Sequence, residues 1–94
     1  MKRVSLTDGS GKWFDEDRVQ DKWRSAGNWG DFNVLRQILY LTAGGRWVLQ
    51  FVPTRDSEQT SREGVTDGAA AEWLVDNDYT LPEALVAVAA KSEI

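Results

Sequence analysis

The sequence predicts an α+β fold in one small domain: an antiparallel sheet of about four or five strands, centred on a hairpin at 35–52, with about three helices. Three observations carry this. From Val34 to Val52 the chain is β-branched, aromatic and aliphatic, broken only by Ala43-Gly44-Gly45, where glycine supplies the positive φ of a tight turn. After residue 66 the apolar spacing becomes helical, as in Ala70, Trp73 and Leu74. At 94 residues there is material for one core, so residues 1–94 read as a single domain.

In chain order, Val4 and Leu6 alternate with polar neighbours, and Asp8-Gly9-Ser10-Gly11 is a turn before Lys12-Trp13-Phe14 resumes, which reads as a short hairpin. Asp15 then reads as the N-cap of a first helix, with Glu16 and Asp17 in its first turn and Val19, Trp23 and Ala26 on one face, ended by Gly27. The segment Gly27–Asn33 reads as a loop anchored by Trp29. Leu35–Thr42 and Trp47–Val52 carry apolar residues on both faces, so this hairpin should be central and covered by helices on at least one side. Thr54–Glu63 has no apolar residue and reads as a loop, followed by a short strand at Gly64-Val65-Thr66. Asp67 is placed as the cap of the next helix, with Glu72 and Asp76 turned to water, and Asn77-Asp78 as its end. Thr80-Leu81-Pro82-Glu83 has the pattern of a capping box for a terminal helix from Leu81 to about Lys91. The expected core is Val4, Leu6, Trp13, Val19, Trp23, Leu39, Leu41, Trp47, Leu49, Phe51, Trp73, Leu74, Leu81 and Leu85.

Composition removes several classes of function. Without His or Cys there is no imidazole base, no thiol nucleophile and no soft metal ligand, and a disulfide scaffold is excluded. Asp15-Glu16-Asp17 with Asp21 is better read as an acidic helix start than as a cation site, because neighbouring helix positions do not converge on one ion. Gly9-Ser10-Gly11-Lys12 lacks the spacing of a phosphate loop, and Asp76-Asn77-Asp78 lacks the glycine and distal glutamate of a calcium loop. No cofactor, no metal and no enzymatic activity are expected. No apolar stretch approaches the roughly 20 residues of a membrane span, and Met1-Lys2-Arg3-Val4-Ser5-Leu6 lacks a signal-peptide core, so a cytoplasmic protein is expected.

Charge is uneven: residues 1–55 hold nine basic and six acidic side chains, residues 56–94 two basic and nine acidic. The acidic half suits a basic surface on a host protein or complex, which makes Asp56, Glu58, Glu63, Glu72, Asp76 and Asp78 the candidate protein-binding residues. The alternative is nucleic-acid binding through Arg36 and Arg46 on the hairpin and Arg18, Lys22 and Arg24 on the first helix, with Trp13 or Trp47 as stacking groups. A third reading is a homodimer: Leu85–Ala90 is apolar all round, so Val86 and Ala90 are candidate dimer contacts.

Three runs are also familiar in combination: K-W-F-D at 12–15, L-Y-x-T-x-x-G-R-W-x-L across 39–49, and A-A-x-W-L-x-x-N at 70–77. Together they resemble a group of small bacterial proteins of plasmids, phages and other mobile elements. That resemblance implies one α+β domain, no established activity, and a setting in conflict between mobile elements and hosts. Anti-CRISPR proteins are an analogy for a small acidic inhibitor of a nucleic-acid-handling complex.

Overall fold

The computed structural model describes residues 1–27, 29–30, 36–53 and 60–92. Strands β1 (Arg3–Ser5) and β2 (Trp13–Asp15) form an antiparallel hairpin. A single 3-10 turn, Glu16–Arg18, leads into β3 (Asp21–Arg24), β4 (Gln37–Leu41), β5 (Trp47–Phe51) and β6 (Ser61–Val65). These four make an antiparallel sheet in the order β3-β4-β5-β6. Helices α1 (Asp67–Asp76) and α2 (Glu83–Ser92) complete the chain. The α+β class is as expected, but the strands divide into sheets of two and four, and there are two α-helices among the described residues rather than about three.

Adjacent residues of β4 face opposite ways, and both are buried: Leu39 toward the helices and Tyr40 toward the hairpin. The molecule therefore has three layers. On one side Leu39, Trp47, Ala70, Ala71, Leu74 and Leu85 form a core, with Trp23, Leu41, Leu49, Val65, Trp73, Leu81 and Val88 packed against it. On the other, Val4, Phe14, Tyr40 and Val48 form a smaller cluster flanked by Leu6, Val19 and Ile38. The β4–β5 turn closes as expected, Gly45 N–H donating to Thr42 O at 3.0 Å with Gly45 at φ 78°.

The largest correction concerns residues 15–27. Asp15 does cap a turn, accepting from Asp17 N–H, but the turn stops at Arg18 and the chain becomes β3. Val19 and Trp23, expected on one helical face, lie on opposite sides of the sheet, Val19 with the hairpin cluster and Trp23 against Trp47 with ring centroids 5.7 Å apart. Val19 lies before β3, outside its alternation, so the two residues need not share a face, and two large apolar residues are too few to fix a helical pattern. Backbone pairing along the open edge of β4, Trp23 opposite Leu39, decides for the strand. A second correction is Trp13, expected in the core and 45% exposed. Hairpin register sets Val4 opposite Phe14 and Ser5 opposite Trp13, so Phe14 turns inward and Trp13 outward.

Other boundaries move slightly. The last strand runs Ser61–Val65 rather than Gly64-Val65-Thr66, because all five residues pair with β5, from Ser61 opposite Phe51 to Val65 opposite Trp47; on its other edge Thr7 N–H donates to Arg62 O at 2.8 Å, and Gly64 N–H donates to Asp8 Oδ2 at 3.0 Å. Thr66, not Asp67, caps α1, its Oγ1 accepting from Ala69 N–H at 3.1 Å. Pro82 lies just before α2 rather than inside it, its carbonyl accepting from Leu85 N–H at 2.9 Å. Leu35 of the expected central strand lies outside the described residues.

Candidate functional site

Where the hairpin crosses the sheet it does not cover it fully. A cleft of about 620 Å³ remains between β2, the 3-10 turn, the β4–β5 turn and the end of β6. Its apolar lining includes Leu6, Phe14 and Val48 of the hairpin interface, together with Trp47 and Val65 of the helix-side core. Its cations come from three separate elements: Lys12 before β2, Arg18 at the end of the 3-10 turn, and Arg46 after the β4–β5 turn. All three are exposed, and among the described residues none forms an ion pair.

Two carboxylates also line the cleft, and backbone amides occupy both. Asp8 accepts from Ser10 N–H and Gly64 N–H, each at 3.0 Å. The Ser10 hydroxyl, then the Gly64 and Ser10 amides, hold its carboxyl down at about 2. Asp15 Oδ1 accepts from Lys2 N–H and Asp17 N–H, both at 3.0 Å. The carboxylates thus staple the hairpin, to β6 and to the residue before β1, and the lining sets three cations against two carboxylates, a formal balance of +1. Trp13 stands at the rim with the Arg3 guanidinium 4.7 Å from its ring centroid.

Behind the cleft, Tyr40 joins sheet to hairpin. Its ring lies 5.1 Å from Phe14, and its hydroxyl makes a long 3.5 Å bond to Glu16, which also pairs with Lys2 at 3.1 Å. Burial, then the Glu16 charge, push the phenol above its ordinary value, so it is neutral across the physiological range.

The residues named for nucleic-acid contact separate. Arg18 and Arg46 meet at the cleft; Lys22 and Arg24 lie on β3, with Arg24 stacked 4.0 Å over Trp29; Arg36 precedes β4. Trp47, 4% exposed and packed on Trp23, cannot take a stacking ligand, whereas Trp13 is open. The sequence marks Lys12 only as part of a turn that lacks phosphate-loop spacing, and not as a nucleic-acid contact. Its position beside the outward Trp13 follows from the same register that buries Phe14.

The acidic candidates are spread. Glu63 is exposed on β6, Glu72 and Asp76 are exposed on α1, and Asp78 follows that helix in a left-handed conformation at φ 63°. Asp56 and Glu58 lie outside the described residues. No group of three acidic side chains among the described residues is placed to hold a metal ion. On α2, Leu85 is fully buried while Val86 is 54% exposed and Ala90 is exposed, so the two candidate dimer contacts share an outward face. No described helix is long and apolar enough to cross a membrane.

No family model matches the chain, and no curated protein or solved structure matches it. The resemblance to mobile-element proteins rests on its three sequence runs alone.

Proposed function

We propose that the chain is a cytoplasmic, non-enzymatic binding module whose hairpin–sheet cleft recognises a polyanion. The observation that carries this is the convergence of Lys12, Arg18 and Arg46, from three elements, on one opening where they outnumber its two carboxylates, Asp8 and Asp15. The test is titration with inorganic polyphosphate. Binding should weaken by at least about 10-fold in Arg18→Glu/Arg46→Glu, both residues being exposed, with an unchanged circular dichroism spectrum. Equal affinity in the reversed protein would remove the cleft as the site.

A second reading has its own support. Residues 66–92, the helix layer, hold five acidic side chains and one basic, and Glu72 and Asp76 face solvent there. This favours docking of that layer on a basic surface of a protein partner, with Glu63 and Asp78 as flanking charges. A partner recovered from nuclease-treated lysate by the wild-type chain and lost with Glu72→Lys/Asp76→Lys would support it. A partner retained by that variant would count against it.

A further inference from the structure

We infer that the polyanion is a single strand of nucleic acid, with consecutive phosphates along Arg18, Lys12 and Arg46 and one base stacked on Trp13. The inference rests on the polyanion reading and goes beyond it by naming the ligand class. The three cations reach the opening from the end of the 3-10 turn, the residue before β2 and the residue after the β4–β5 turn. A strand repeats its charge at each nucleotide and so can engage several cations at once. The β4–β5 turn adds neutral donors. Ala43 and Gly44 line the opening, and among the described residues their amide N–H groups have no protein acceptor. Backbone N–H groups in a glycine turn suit phosphate oxygens.

Trp13 distinguishes a nucleotide from other anions. Large aromatic side chains contribute most when buried, yet this one is 45% exposed beside a cleft while the other chains of its hairpin interface are packed. Arg3 sits over one face of the ring, which orients the indole and brings a fourth cation to the rim. The remaining open surface is a platform for a base, and stacking on it needs no particular sequence. A duplex hides its base faces and would use only the cations. An acidic peptide supplies charge without a ring to stack.

The experiment compares fluorescein-labelled oligo-dT with an abasic strand of the same length and charge, alongside the polyphosphate titration. Oligo-dT should bind about 10-fold more tightly than the abasic strand. Trp13→Ala should erase that difference, while Trp13→Phe should retain most of it. With three phosphates engaged, the logarithm of the association constant should fall with the logarithm of salt at a slope of about −2. Equal binding of dT and abasic strands overturns the stacking and leaves the polyanion reading standing. Tighter binding of polyglutamate than of oligo-dT assigns the cleft to acidic peptides instead and overturns the inference. Failure of polyphosphate and of both strands to bind overturns inference and polyanion reading together.

Discussion

The two layers flanking the central sheet are held by different physics. On the helix side, Leu39, Leu74 and Leu85 are fully buried and Trp47 nearly so, and the attachment is hydrophobic area. On the hairpin side the apolar cluster is smaller, and the layer is fastened by polar contacts at its margins: Thr7 and Asp8 on the edge of β6, and Glu16 reaching Tyr40. A layer held by area must seat closely along its length. One held at its margins can stand off locally, and that is where the cleft opens.

The difference can be broken from either side. Leu74→Ala should cost about 4 kcal/mol in denaturant unfolding, a large part of the stability of a domain this size. Phe14→Ala should cost about 3 kcal/mol and loosen the hairpin first, visible as faster amide exchange at Thr7 and Gly64 than in β4. Equal acceleration in both layers would show that they unfold as one unit.

A smaller effect of opposite sign is expected at Asp78, whose φ of 63° follows the end of α1. Asp78→Gly should stabilise the helix layer by about 0.5–1 kcal/mol, measured as a raised denaturation midpoint with unchanged slope. The smallest effect concerns pH. Asp8 has its folded pKa lowered from 3.8 to about 2, so its contribution is fully present above the unfolded value and is lost as pH falls toward 2. Asp8→Ala should flatten the wild-type decline in stability between about pH 4 and 2, by an amount limited by the full exposure of the carboxylate. An identical decline in the variant would assign it to other carboxylates.

The helix layer was the more legible region. Ala70, Trp73 and Leu74 recur at helical spacing with Glu72 and Asp76 opposite, and the structure buries and exposes them accordingly. The central hairpin was legible for a similar reason, since its apolar runs and glycine turn admit few alternatives. Residues 15–27 were not. Val19 and Trp23 fit a helix by spacing, and the hydrogen bonds that make β3 come from β4, a partner about 18 residues away that local patterning cannot weigh. The site divides the same way. Arg18, Arg46 and Trp13 could be named as a class of side chain, but one candidate stacking ring was core and the other was open, and only hairpin register separates them.

By itself the sequence determined the α+β class, the central hairpin, the two C-terminal helices, and a chemistry without imidazole or thiol, because these depend on residue identity and on patterns within one element. Tertiary structure alone decided that Trp13 stands outside while Phe14 goes in, that the first hairpin closes the edge of β6, and that three cations from distant positions share one cleft. Those are outcomes of pairing between elements, and pairing energy belongs to no single segment of the chain.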